Sequence, residues 1–376
     1  MTSLRLSPFD TLFFRDGSPF NEGDPSQAAT RGIFPPYPPT VVGAVRAALA
    51  RAMGGPGTPW PVRLLGDGVD WQQGDSALGP LRFSGPLIVK KTLLVGKTQP
   101  LFPAPLHLAQ ADGSRHIVFL APSRAALETE IGPIRLPAAQ GENLKPLEGH
   151  WLDADTMAEA LDCREFDRSR AIPESELWKS EPHVGICRGE HTHTTGEHAL
   201  YAAAHVRLAA EVSLAVEVDG LPDNISLEDN PATLGGESRC VWIDQDEPIP
   251  LPAGRALHTD EDGILRYAVI HIAPADLGDR SPRVGDQLVG PYALPLPGRI
   301  VAGCVGRPAP IGGWDTQAKS PLALRPCIPA GSVWFMEAEA GEAEAALRWH
   351  GRAIGRATGW GFGRVLIGRW EPAKET

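Results

Sequence analysis

The densest chemistry in this chain lies near its end. From Arg348 to Arg369 stand five arginines (Arg348, Arg352, Arg356, Arg364 and Arg369) and His350, with no acidic residue among them. Arg348, Arg352 and Arg356 are spaced i, i+4, i+8, which on a helix places them on one side. The glycines that follow (Gly359, Gly361 and Gly363 in GWGFG) let backbone N–H groups come close to a phosphate. The run therefore reads as a local polyanion site, or alternatively as a solvated helix face followed by a turn chosen for tight packing. It is neither a dinucleotide fingerprint nor a phosphate loop, because it lacks GxGxxG spacing after a strand and lacks GK[ST].

Three smaller groups carry further possibilities. In FFRDGSPF, Arg15 and Asp16 follow an apolar run: they either brace a loop together or aim Arg15 at a phosphate or a partner protein. Arg46 stands among Ala and Val of a helical pattern, either snorkelling at the surface or tracking RNA over that helix. Five histidines (His183, His191, His193, His198 and His205) fall within 23 residues. They could bind metal, or supply a general acid or base for RNA cleavage. No cysteine or carboxylate nearby has zinc-like spacing, which favours polar histidines of an exposed hairpin meeting RNA by stacking or hydrogen bonding.

The elements that must position these residues are legible in outline. LRLSPFDTLFF reads as a buried strand, residues 15–39 as a Gly- and Pro-rich loop, and VVGAVRAALARAMGG as a helix with Thr40 as N-cap and Gly54-Gly55 as the stop. LRFSGPLIVKKTLLVG and HIVFLA read as strands, and residues 153–181 as an inserted, solvent-facing helical segment. From His183 the chain reads as a projecting β-hairpin leading into a core strand. In the final third, ILRYAVIHI, GRIVAGCV and GSVWFMEAEA are strand candidates, EAEAALRWHGRAIGRAT a helix, and RVLIGRW a closing strand. The two halves echo each other: Gly235-Gly236-Glu237-Ser238-Arg239 precedes CVWI, as Gly359 to Arg364 precedes VLIG. Such loops before the last strand of a βαββαβ unit point to two ferredoxin-like domains in tandem.

Composition bounds the function. The chain has 376 residues, enough for two or three domains, and 41 Gly with 37 Pro, so many turns and long connections are expected. A formal net charge of −11 argues against indiscriminate attraction to nucleic acid or anionic membrane, so any polyanion site is local. No basic segment followed by an apolar run opens the chain, and no stretch approaches 18 uninterrupted apolar residues, so a cytoplasmic protein with no membrane partner is expected. The five cysteines are scattered without a CxxC pair and read as reduced, mostly structural thiols.

The order SPFDTLFFRDGSPF, FPPYPPTVVGAVRAAL, EPHVGICRGEHTHTTGEHALY, LGGESR, RPCIPAGSVWFME and GWGFGRVLIGRW closely resembles the third subunit of the Cmr complex, the type III-B CRISPR effector, of the RAMP superfamily. The resemblance implies an α+β fold of tandem ferredoxin-like (RRM-like) RAMP domains. They would span residues 1–248, with a helical insertion at about 121–181 and a thumb hairpin at about 183–201, and residues 249–376. It implies a non-catalytic subunit, with no cofactor and no metal. Such a subunit grips the 5′ repeat-derived tag of CRISPR RNA and joins the large polymerase/cyclase-like subunit to the backbone subunit. The family pattern carries onto Gly235, Gly236 and Arg239 in the first Gly-rich loop, and onto Gly359, Gly361, Gly363 and Arg364 in the second. With His183 and Arg188 of the hairpin, and with Arg15, Arg46 and Arg356, these form the expected RNA-binding set. The alternative is a metal-independent CRISPR RNA-processing endoribonuclease of the same superfamily, with His183 or His350 as general base; a third reading is a protein-bridging scaffold without RNA contact.

Overall fold

The computed structural model describes residues 1–15, 29–30, 32–54, 58–92, 96–130, 132–139, 141, 143–188, 195–222, 225, 227, 230–316 and 318–373, without side chains at 29–30, 186–188 and 195–201. In chain order the elements that position the site are β1 (Thr2–Pro8), α1 (Pro38–Gly54), β2 (Arg82–Lys91), β3 (Thr98–Pro103), β4 (His150–Leu152), α2 (Ala154–Leu161), β5 (Ile172–Pro173), β6 (Trp178–Arg188), β7 (Thr195–Leu208), β8 (Val212–Asp219), β9 (Asn230–Thr233) and β10 (Cys240–Asp246). The second half adds β11 (Ile264–His271), β12 (Arg299–Cys304), β13 (Val333–Glu339), α3 (Ala343–Leu347) and β14 (Val365–Arg369). Strands dominate and helices are few.

The first sheet has the order β5-β4-β3-β2-β8-β1-β10-β9. Its four central strands, β2-β8-β1-β10, pair antiparallel throughout. On β1 the period of two sends Leu4 and Leu6 to one face, where Val41, Val42, Val45, Ala48 and Leu49 of α1 cover them. Those helix residues recur at helical spacing, so the apolar stripe that predicts α1 is the stripe it buries. The helix starts at Pro38, ahead of Thr40, since proline suits a first turn whose N–H groups lack intrahelical partners. The second sheet has the order β12-β13-β11-β14, again antiparallel, and it repeats the sequence of second, third, first and fourth strand seen at the centre of the first sheet. One apolar cluster, including Leu87, Val89, Ala215, Ala268, Ile270, Phe335 and Leu366, joins the two sheets face to face.

Two expectations are corrected. Residues 153–181 hold one α-helix, α2, and two three-residue 3-10 turns, Arg168–Arg170 and Glu174–Glu176, and Thr156, Met157, Ala158, Ala160 and Leu161 of α2 are buried rather than solvent-facing. It packs against β3 and β14, inside the cluster joining the sheets. The charged residues around it cap turns instead of extending a helix: the Asp153 carboxylate accepts from Thr156 N–H and the Asp167 carboxylate from Ser169 N–H. Nor does a long helix carry Arg348, Arg352 and Arg356 on one face. α3 ends at Leu347, and Gly351 and Gly355 adopt φ of +76° and +86°, which a helix cannot contain. Residues 351–354 instead pair with 363–365, Ile354 N–H donating to Gly363 O and Val365 N–H to Arg352 O.

Candidate nucleic-acid interface

Of the sequence-selected residues, the structure gathers one group at the base of the β6–β7 hairpin. Registers there place Glu181 opposite His205, His183 opposite Ala203 and Lys179 opposite Arg207, so Glu181, His183, His205 and Arg207 share one face. Residues 11–13 add to the β7 side: Leu12 and Val206 exchange both backbone hydrogen bonds, which sets Thr11 and Phe13 beside Arg207 and His205. The first Gly-rich loop closes the group, with Gly236 N–H donating to Phe13 O. Glycine is required at Gly235, where φ is +82° and a Cβ would lie 2.3 Å from Phe13 O.

A charge-assisted network fixes this geometry. The Arg207 guanidinium donates to both Glu181 oxygens and pairs with Asp10 at 2.8 Å, while Arg239 sits 3.7 Å from Asp10 and 3.9 Å from Glu237. His183 Nε2 donates to Glu181 Oε1 at 3.0 Å. His205 is fully buried and held at both nitrogens, Nε2 against Glu237 Oε2 at 2.8 Å and Nδ1 against Thr11 Oγ1 at 3.1 Å. Arg207, then His183, hold the Glu181 carboxyl down at about 2, and Arg207 also lowers Asp10. Burial, then the neighbouring His183, pushes His205 below the usual histidine range, so its neutral ring donates through Nε2 to Glu237 and accepts from the Thr11 hydroxyl. The Glu237 contact anchors a loop in which Glu237 and Ser238 both hold left-handed φ, +54° and +53°. Two guanidiniums, Arg207 and Arg239, face three carboxylates, Asp10, Glu181 and Glu237, so both arginines already have partners within the protein.

The other sequence-selected residues fall elsewhere. Arg15 is exposed and bridges to Gly32, whose Cα lies against Ala204 of β7. Arg188 ends β6, its side chain outside the described residues, as are His191, His193 and the His198 side chain. Arg356 is exposed and pairs with Asp279 at 3.1 Å. Arg46 is neither a snorkelling nor a surface-tracking residue: it is 4% exposed and donates to the carbonyls of Leu65, Gly66, Gly68 and Ala77. Burial lowers its guanidinium to about 10, and it lies over the rings of Trp60 and Trp360.

The second Gly-rich loop is interior, wedged between the sheets. Phe83 N–H of β2 donates to Gly359 O, and Gly359 N–H donates to the Asp75 carboxylate at 2.9 Å. A Cβ at Gly361 would lie 2.2 Å from Gly85 O, and one at Gly363 1.9 Å from Ile354 O. Arg364 forms a 2.9 Å ion pair with Glu217 of β8, the two side chains only 9% and 5% exposed. In this conformation Gly359, Gly361, Gly363 and Arg364 meet protein on every side. His350 is likewise occupied: Ile367 N–H donates to its Nδ1 at 3.1 Å, and its Nε2 donates to Pro252 O at 2.8 Å.

Sequence reasoning missed Asp10, Phe13, Arg207 and Glu237. The period-two placement of Glu181 with His183, and of His205 with Arg207, was the available signal, because it puts four ionisable groups on one hairpin face. Among the described residues no group of three or more His, Cys, Asp or Glu is arranged to hold a metal ion, and no helix is long and apolar enough to cross a membrane.

Comparison with known proteins follows the same lines. The family model described as CRISPR-associated protein (Cas_Cmr3) matches residues 4–370. No curated protein matches the chain. Among solved structures, a chain of the type III-B Cmr-beta complex bound to cognate target RNA and AMPPnP superposes with a TM-score of 0.50 at 17% identity, covering 89% of this chain and 86% of that one. A chain of Cmr-beta bound to cognate target RNA gives 0.50 at 16% identity over the same shares. A chain of the Csm3–Csm4 subcomplex of the type III-A interference complex gives 0.38 at 10% identity, covering 99% of this chain and 100% of that one.

Proposed function

Because the chain belongs to the Cas_Cmr3 family of CRISPR-associated proteins, and is thus a type III CRISPR effector subunit, we propose that it binds the 5′ repeat-derived tag of the CRISPR RNA. In this reading it is non-catalytic and bridges the large polymerase/cyclase-like subunit to the backbone filament. The observation that carries the proposal is the convergence of the hairpin base and the first Gly-rich loop on one site. His183, Arg207 and Arg239 there lie beside a loop whose glycines, Gly235 and Gly236, pack against Phe13 and remain exposed at the surface. Unpaired RNA is held by such combinations of guanidinium groups, flat rings and close backbone. We include Arg15, on the segment that bridges to Gly32, and Arg188, at the end of β6, in the proposed set.

We read residues 1–248 and 249–376 as two ferredoxin-like units. What supports this is the shared antiparallel order of second, third, first and fourth strand, the order a βαββαβ unit produces. Among the described residues of the second half, the one α-helix is the five-residue α3.

The test is crosslinking in the assembled complex, with photoreactive nucleotides at successive tag positions. The proposal expects crosslinked peptides from the hairpin base and from residues 235–239. An assembled complex whose tag crosslinks only to other subunits would reduce this chain to a protein bridge. The endoribonuclease reading has one observation in its favour, the partly exposed His183 held by Glu181. It requires purified chain to cleave repeat RNA, leaving a 2′,3′-cyclic phosphate, and to lose that activity in His183→Ala. The tag-binding reading expects no cleavage.

A further inference from the structure

We propose that the His183 ring is a stacking platform for one unpaired nucleobase of the bound RNA, the outermost member of a row of rings built across the hairpin base. This rests on the RNA-binding reading above and adds to it which group meets a base rather than a phosphate.

The row crosses three neighbouring strands. Phe13 stacks on His205 with centroids 5.1 Å apart and planes at 22°, and His205 stacks on His183 at 4.0 Å and 7°. Registers place His205 in the middle: the segment carrying Phe13 pairs with β7 on one side, and β6, carrying His183, pairs with it on the other. The middle ring is fully buried and cannot turn, because Thr11 and Glu237 hold its two nitrogens. The outer ring is different. β6 is the edge strand of its sheet, the His183 side chain is 36% exposed, and the flanking Pro182 and Val184 are exposed.

The plane of that open ring is set in advance. His183 Nε2 is tied to Glu181, which Arg207 grips through both oxygens. A phenylalanine would stack as well but would lack the edge N–H that locks the plane, which accounts for histidine at this position. A ring held rigid before the ligand arrives loses little conformational freedom on binding, and a flat base laid over it continues the spacing already present in the row. Stacking of this kind accepts any base, since each has a π-face. The site therefore selects for an unpaired, splayed nucleotide rather than for a sequence.

The test uses the assembled complex, with guide RNAs carrying 2-aminopurine or an abasic residue at successive tag positions. One position should show quenched 2-aminopurine fluorescence. His183→Ala should relieve that quenching and weaken RNA binding about tenfold, while His183→Phe should retain most of both. With an abasic residue at that position, wild type and His183→Ala should bind equally, a coupling that a merely structural role for His183 would not produce. Unchanged quenching and affinity in His183→Ala would overturn the inference, as would His183→Phe behaving like His183→Ala. The parent reading is separated by Arg207→Ala and Arg239→Ala. If these weaken RNA binding and His183→Ala does not, stacking alone fails; if none of the three has an effect, RNA binding at this site fails with it.

Discussion

The two Gly-rich loops look alike in the sequence and occupy opposite situations in the fold. Gly235–Arg239 lies at the rim, where its glycines are exposed and Arg239 meets carboxylates loosely at 3.7 and 3.9 Å. Gly359–Arg364 lies in the seam between the sheets, every residue buried and Arg364 locked to Glu217 at 2.9 Å. Glycine serves close approach of the chain's own backbone in both, at Gly85 and Ile354 in the seam and at Phe13 on the rim; the loops differ in exposure, the rim glycines reaching the surface and the seam glycines being buried. An arginine after glycines is therefore a phosphate ligand or a structural ion pair according to what covers it, and spacing alone does not decide which.

The contrast predicts separable phenotypes. The largest effect belongs to Arg364→Ala, which strands a buried Glu217 carboxylate and should cost about 3–5 kcal/mol in denaturant unfolding. Replacing both partners by apolar residues of similar volume, as in Arg364→Met with Glu217→Leu, should recover most of that loss. If Arg364→Ala unfolds at the wild-type midpoint, the seam assignment is wrong. Arg46→Met, on the same side of the comparison, leaves the carbonyls of Leu65 and Gly68 without their donor and should cost about 3 kcal/mol by the same measurement.

Acid should act through the buried histidines, in the interior and, through His205, at the rim as well. Burial lowers His107 to about 4 and His271 to about 3, so both stay neutral in the fold while the unfolded chain takes up protons near pH 6.5. The unfolded state then binds more protons, and stability must fall as pH drops below about 6.5, the loss continuing toward the folded values. At pH 5.5 this amounts to on the order of 1 kcal/mol for each histidine, measurable as a lower denaturant midpoint. Replacing either by a neutral residue of similar size should flatten the pH profile. The Arg207–Glu181 pair at the rim persists through this range, because the carboxyl is held down at about 2.

The smallest stability effect is expected at the rim itself, where Arg239→Ala removes partly exposed contacts and should change unfolding by less than about 1 kcal/mol.

How much of this was legible in the sequence depends on the range of the interactions. The first strand, α1 and the hairpin were readable because their apolar periods and turn residues are local. The helix through Arg348, Arg352 and Arg356 was not, since i, i+4 spacing is silent about Gly351 and Gly355 turning left-handed to pair with the chain ahead. Arg46 looked solvent-facing among alanines because the carbonyls that receive it lie 19 to 31 residues further along the chain. The rim is assembled from residues 10–13, β6, β7 and the loop before β10, so its members are neighbours only after the sheet forms. Its glycines and Arg239 were found by motif, whereas Asp10, Phe13 and Glu237 lie inside recognised motifs without being singled out, Arg207 lies outside them, and all four needed the registers.

The central claim is that RNA runs over the rim and not through the seam, and the salt dependence of tag binding tests it most directly. Affinity of the assembled complex for the tag is to be measured at several salt concentrations for wild type and for Arg207→Ala with Arg239→Ala. The account predicts weaker binding and a log–log salt slope shallower by about 1.4, two phosphates' worth at ~0.7 each for a single strand. A slope and affinity equal to wild type in a fully assembled complex would contradict it.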